Sequence, residues 1–186
     1  IQKRIEKSIG CVDGVYTSLH EVRSNIPSST RCVGWGTSES LAWLGDIPFV
    51  SSATDTSSDT LILLYRHDYT SDDLRHLCTW ASRVDTIIVG NIDMVYPSDD
   101  SRIWPDTGAL LELIRAASKT TANIVHCGKP SVGILPLEMK RPLVVVGDRA
   151  ETDGSLARKL EAPFVHVGVK ITHLGVLMDY FNYTNN

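Results

Sequence analysis

Short apolar runs recur along the chain, and between them apolar residues fall at helical spacing. Residues 30–35 read as a short buried strand ending in Gly34-Trp35-Gly36. Residues 38–44 follow with helical spacing, and Ser38 is placed to cap them. Residues 47–50 read as a candidate second strand, and residues 61–65 as a buried strand. Ser71-Asp72-Asp73 then opens an amphipathic helix over Leu74, Leu77, Cys78 and Ala81. Thr86–Val89 is another strand, stopped by Gly90. Thr107–Ser118 puts Leu110, Leu111, Ile114 and Ala117 on one helix face. Asn123–His126 leads as a strand into Gly128-Lys129-Pro130, and the apolar run 143–146 leads into Gly147-Asp148. Residues 155–160 predict a helix, 164–167 the last clear strand and 174–186 a short tail helix. Strands alternating with helices predict an α/β fold with largely parallel strands.

Polar stretches separate these elements. Residues 25–30, 51–59 and 91–105 read as loops, and the last is long enough that a function is expected of it. Residues 1–29 form an uncertain N-terminal segment, with one or two short helices between Glu6 and Val22.

Composition narrows the class. The chain has 186 residues, 42% hydrophobic and 22% charged, which suits a soluble globular protein with a real core. The net charge of -4 argues against a nucleic-acid groove, but two or three local cations still suffice for a small phosphate site. No apolar run is long enough to cross a bilayer, and no secretory signal pattern opens the chain, so the expected location is cytoplasmic. The chain begins at Ile1 rather than Met, which raises the expectation that its start has been removed or is missing. Cys11, Cys32, Cys78 and Cys127 are widely spaced, with no C-x-x-C pair, and read as reduced core thiols. His126 reads as a strand-end histidine, and the Asn182-Tyr183-Thr184 sequon as one that an intracellular chain leaves unused.

Three segments carry candidate chemistry. In Val144-Val145-Val146-Gly147-Asp148-Arg149-Ala150-Glu151-Thr152-Asp153, an apolar strand delivers Asp148 at its C-terminal end, where open α/β sheets place ligands. Two carboxylates there suit a hard cation such as Mg²⁺; the alternative is that Asp148 caps the next helix and Asp153 faces solvent. Lys129, held between Gly128 and Pro130 just after a strand, is placed to neutralise a phosphate; the alternative is a solvated lysine. Asn91 and Asp93 lie just past another strand end, where they either hydrogen-bond a polar substrate or only form a turn. Gly34-Trp35-Gly36 lacks the third glycine that a dinucleotide loop needs.

In this order the pieces resemble the haloacid dehalogenase superfamily, in its branch of capped sugar-phosphate, phosphoglycolate and nitrophenyl-phosphate phosphatases. That branch carries T/S-N-x-D, then Y-P, then a P-G-x-G-A run in its cap, and G-K-P followed by G-D-R-x-x-T-D in its core. The counterparts are Gly90-Asn91-Ile92-Asp93, Tyr96-Pro97, Trp104-Pro105-Asp106-Thr107-Gly108-Ala109, Gly128-Lys129-Pro130 and Gly147–Asp153. The resemblance spans about residues 30–169. It implies an α/β cap domain over 30–122 and a partial Rossmann-like core over 123–186. It implies that Lys129 contacts phosphate, that Asp148 holds Mg²⁺ with Asp153 supporting the metal shell, and that Asn91 and Asp93 face a small phosphorylated substrate.

The family reaction starts from an aspartate nucleophile in D-x-D-G, which forms an aspartyl-phosphate. That motif is not found; Cys11-Val12-Asp13-Gly14 is its nearest text and puts a cysteine at the nucleophile position. Two further departures stand out: Asp106 replaces a glycine, and only residues 132–142 link the lysine loop to the next strand. The resemblance therefore implies a phosphatase chain without its nucleophile, inactive alone. The alternative is a non-catalytic, pseudoenzyme-like binding or structural subunit of a larger assembly. In either case the strands 143–146 and 164–167 would leave an open apolar edge, for a partner chain or an N-terminal core piece to cover.

Overall fold

Runs rich in Leu, Ile and Val pair in parallel to make the central sheet of the first of two units. The computed structural model describes residues 14–28, 30–49, 58–96, 102–136 and 144–167. The chain divides into Ile1–Ile134 and Leu135–Asn186. The predicted tail helix over 174–186, the Cys11-Val12-Asp13 stretch and residues 51–57 and 97–101 of the predicted loops lie outside the described residues.

In the first unit, helix α1 (Ser18–Asn25) precedes β1 (Cys32–Trp35) and α2 (Ser38–Trp43). Then follow β2 (Thr60–Leu63), α3 (Ser71–Ala81), β3 (Thr86–Val89), β4 (Val95–Tyr96), β5 (Trp104–Pro105), α4 (Thr107–Ser118) and β6 (Asn123–His126). The four-stranded sheet runs in the order β1-β2-β3-β6 with every neighbour parallel. Strand β6, which the sequence reading assigns to the C-terminal part, thus pairs residue for residue with β3, from Thr86↔Asn123 to Val89↔His126. It belongs to the first unit, and the division falls after Ile134.

Strands β1–β3 are buried on both faces, which is why they read as apolar runs. Leu61, Leu63, Ile87 and Val89 face one way, into a cluster with Leu77 and Ala81 of α3 and Leu110, Leu111 and Ile114 of α4. Cys32, Ile62, Leu64 and Ile88 face the other way, against Val22 and Ile26 from α1 and its end, and Leu44 and Ile47 after α2. The N-terminal segment that the sequence left uncertain therefore contributes one of the covering helices. The run 47–50 is not a full strand among the described residues; it makes one parallel bridge, Cys32↔Phe49.

Local chemistry shifts some helix starts. Thr37, not Ser38, caps α2, its hydroxyl accepting from the Ser40 amide. Thr70 caps α3 in a reciprocal pair with Asp73, and these hydrogen bonds hold the Asp73 carboxyl below its usual range. The stretch read as one long loop after Gly90 instead contains β4 and β5, paired antiparallel through Val95↔Pro105 and Tyr96↔Trp104.

The second unit contains β7 (Val145–Gly147), a π-helical turn (Ala150–Gly154), α5 (Ser155–Lys159) and β8 (Phe164–His166), with β7 and β8 parallel. Val146 is 39% exposed, so this pair is less covered than the central sheet.

Cys32, Cys78 and Cys127 are thiols. Burial, with Glu21 adding to it, pushes the Cys127 thiol up to about 12, and burial with Asp59 pushes Cys32 up to about 11. Because the thiolate is the nucleophile, iodoacetamide at pH 8 is expected to modify the half-buried Cys78 well ahead of both. Peptide mass spectrometry reads the order; early labelling of Cys127 would contradict its place in the core.

Candidate functional site

All four parallel strands end on one edge of the sheet, and ligands favour that edge where the chain reverses its direction of travel. Strand β1 already pairs with β2, so the bridge to Phe49 lies on its outer side, while β2 connects inward to β3. The reversal falls between β1 and β2, and Tyr65 lies just past the end of β2.

A groove of about 280 Å³ is lined by Tyr65 and His67, which follow β2, and by Tyr96 of β4 and Trp104 of β5. The Tyr65 and Tyr96 rings stack at 4.5 Å and 16°. His67 lies 5.9 Å from Tyr65 at 27°. The Arg102 guanidinium sits 5.1 Å over Trp104. Burial, with Tyr96 and Asp106 adding to it, raises the Tyr65 phenol, so it remains a neutral hydroxyl at ordinary pH. Sequence reasoning noted Tyr96 and Trp104 only inside their motifs and Tyr65 only as a strand end. Their meeting depends on the β4–β5 pairing, which two-residue strands do not announce.

Asn91 and Asp93 lie in the turn that follows β3. The Asn91 amide oxygen accepts from the Asp93 amide at 3.0 Å, and its NH₂ donates to Asp106 Oδ1 at 3.3 Å. Asp106 is 4% exposed and also accepts from the Thr107 hydroxyl at 2.9 Å, while its side chain caps α4. The aspartate that departs from the resembled pattern is thus an N-cap tied to Asn91. Two backbone bonds complete the junction: Asp106 N–H to Met94 O at 3.1 Å, and Gly108 N–H to Asp93 O at 2.9 Å. The Asn91 side chain serves the turn and the helix start.

Lys129 is exposed on the loop after β6. Gly128 enters that loop with φ +81°, a left-handed conformation that glycine adopts at little cost. Its amide donates to Glu21 Oε2 at 2.7 Å, and the Ser131 hydroxyl donates to Glu21 Oε1. Glu21 is 7% exposed and comes from α1. No sequence pattern singled it out, because its partners lie more than a hundred residues away.

In the second unit, Asp148 is exposed and Asp153 is 3% exposed. Asp153 Oδ2 accepts from the Arg149 amide at 3.2 Å, and its carboxyl lies so close to Gly147 that a Cβ there would meet it at 2.3 Å. The alternative reading, with Asp153 facing solvent, does not hold. Nor does Asp148 serve as a helix cap: the cap positions are Arg149 and Gly154, and neither supplies a side-chain cap. His166 Nε2 lies 2.9 Å from the Asp148 carbonyl oxygen, joining the end of β8 to this turn. An oxygen-binding cation that keeps several waters takes one or two carboxylates. An exposed Asp148 near a buried, backbone-held Asp153 is compatible with that donor chemistry. Among the described residues no group of three or more acidic, His or Cys side chains gathers.

No sequence-family model matches the chain, and no curated protein matches it significantly by sequence. Solved structures do. A double mutant of a thermostable p-nitrophenyl phosphatase from Geobacillus stearothermophilus matches at TM-score 0.71 and 18% identity, over 93% of this chain and 74% of that one. A p-nitrophenyl phosphatase from Archaeoglobus fulgidus matches at 0.71 and 17%, over 100% and 76%. A glycerol phosphate phosphatase from Mycobacterium tuberculosis, in complex with calcium, matches at 0.67 and 19%, over 88% and 51%. The chain therefore shares the fold of these phosphatases.

Proposed function

We propose that this chain binds a small phosphate monoester whose planar leaving group lies in the aromatic groove and whose phosphate is met by Lys129. The observation that carries this reading is the stacked Tyr65–Tyr96 pair lining a groove at the ligand-favoured edge of the sheet, the edge from which the Lys129 loop also leaves. A ring entering the groove gains offset-stacking contacts, and the neutral Tyr65 hydroxyl offers a hydrogen bond. Lys129 supplies a point charge for phosphoryl oxygens. In the second unit Asp148 would hold Mg²⁺ directly, and Asp153 would keep the Gly147–Arg149 turn in shape. Mg²⁺ held there would supply positive charge to an anionic oxygen ligand. Asn91 acts by fixing the start of α4, and Asp93 remains the candidate polar contact of that turn.

Turnover through an aspartyl-phosphate needs a nucleophile that no D-x-D-G motif in this sequence supplies. The expectation is binding without appreciable hydrolysis. 4-Nitrophenyl phosphate and orthophosphate, titrated into the chain with Mg²⁺, test it. Tyr65→Ala and Tyr96→Ala should weaken the aryl ester roughly twofold to tenfold, the range of a lost aromatic contact, and leave orthophosphate unchanged. Lys129→Ala should weaken both. Equal loss of both ligands on removing the rings would refute the assignment of the groove. A Mg²⁺-dependent hydrolysis abolished by Asp148→Asn would overturn the expected inactivity and return attention to Asp13. Binding without turnover fits both a phosphatase chain without its nucleophile and the non-catalytic alternative, a binding subunit in which Val146 of β7, 39% exposed, would meet a partner chain.

A further inference from the structure

The Lys129 loop is held from below by a single buried carboxylate. Glu21 Oε2 takes the Gly128 amide at 2.7 Å, one residue before the lysine. Glu21 Oε1 takes the Ser131 hydroxyl, two residues after it. The Ser131 oxygen in turn accepts from the Gly133 amide at 3.1 Å. A Cβ at Gly133 would meet Glu21 Oε1 at 2.2 Å, so the absent side chain leaves room for the carboxylate. Glu21 is 7% exposed, and the α1 helix that carries it is anchored by Val22 at 0%. A buried carboxylate is costly unless hydrogen-bonded, and here the loop supplies the donors. Both sides of Lys129 are therefore tied to one rigid point on a neighbouring helix.

We infer that Glu21 is a positioning residue for Lys129, acting through the Gly128 amide and the Ser131 hydroxyl to fix where the ammonium meets a phosphate. The inference rests on the phosphate reading of Lys129 given above. Glutamine in place of Glu21 removes the charge, so the Gly128 bond becomes a weaker neutral one, and the Ser131 contact survives only with the glutamine NH₂ donating to the serine oxygen. Loosening the loop spreads Lys129 over more positions, and phosphate affinity falls by that ordering cost.

The test titrates orthophosphate into the full chain and follows the Gly128 and Lys129 amides by NMR in the unaltered protein, Glu21→Gln, Ser131→Ala and Lys129→Ala. Urea unfolding is measured alongside. A charge-assisted bond is expected to move the Gly128 amide proton downfield, and Glu21→Gln to move it back upfield. Orthophosphate affinity is expected to drop about tenfold in Glu21→Gln, the order of a hydrogen bond to a charged group, and about threefold in Ser131→Ala. Amide shifts of β1–β3 should stay in place, which separates loss of position from loss of fold. If the unaltered chain binds no phosphate, or Lys129→Ala changes nothing, the phosphate reading itself fails. If phosphate binds through Lys129 and Glu21→Gln binds it equally well, the Glu21 inference alone is overturned. Should Glu21→Gln not fold, Ser131→Ala decides, and an unchanged affinity in it overturns the inference.

Discussion

Gly108→Ala is expected to destabilise the first unit by roughly 1–3 kcal/mol, although alanine is the better helix former by about 1 kcal/mol. Gly108 lies in the first turn of α4, and local propensity alone predicts that alanine strengthens that helix. The tertiary contact reverses the sign. A Cβ at Gly108 would meet the Ile92 carbonyl oxygen at 2.3 Å and the Asp93 carbonyl oxygen at 2.7 Å, both backbone atoms with no side-chain torsion to relieve the clash. The turn after β3 must back away. It then loses the Gly108 N–H to Asp93 O bond, the Asp106 N–H to Met94 O bond and the Asn91–Asp106 contact, each contributing about 1 kcal/mol. Urea denaturation measures the change. A cost below about 1 kcal/mol would mean that the turn and the helix are not in register as described.

Ile87→Ala and Ile88→Ala are each expected to cost about 2–5 kcal/mol, the range for deleting buried methyl groups where the site cannot collapse. These neighbours on β3 are both fully buried but point to opposite faces, Ile87 toward α3 and α4 and Ile88 toward α1 and the end of α2. A sheet with one wet face would lose stability at only one of two consecutive positions, because side chains alternate. Equal, large losses are the signature of the three-layer arrangement and of α1 as a covering element. Val146→Ala on β7 serves as the contrast: at 39% exposed it should stay within about 0.5 kcal/mol. A small loss at Ile88 alone would remove α1 from the core.

Much of the fold was legible because period and chemistry agreed locally. Thr86–Val89, Thr107–Ser118 and Asn123–His126 appear with the predicted bounds, since an apolar run or a 3.6-residue stripe carries its own burial requirement. Boundaries moved where a cap competed. Threonine one residue earlier than expected closed both α2 and α3, since its hydroxyl reaches the free amides of the first turn. The β4–β5 pair was not legible, because two-residue strands have no period to read. The place of β6 was not legible either: its apolar pattern predicts a strand but says nothing of which neighbour it joins.

The candidate site divides along the same line. Lys129, Asp148 and Asp153 were legible from residue type at a strand end, and the structure separates the two aspartates by burial, one exposed and one held by backbone. Their roles toward phosphate and metal are the proposal that the titrations above test. The sequence by itself determined the alternation of strands and helices, the parallel sheet, and the loops that carry charge, because these follow from side-chain period and backbone conformation within a few residues. Only the tertiary structure decided that Tyr65 meets Tyr96, that Asp106 binds Asn91, and that Glu21 holds the Lys129 loop. These contacts join residues 15 to 110 positions apart, and what brings them together is the packing of two buried sheet faces rather than anything written between them.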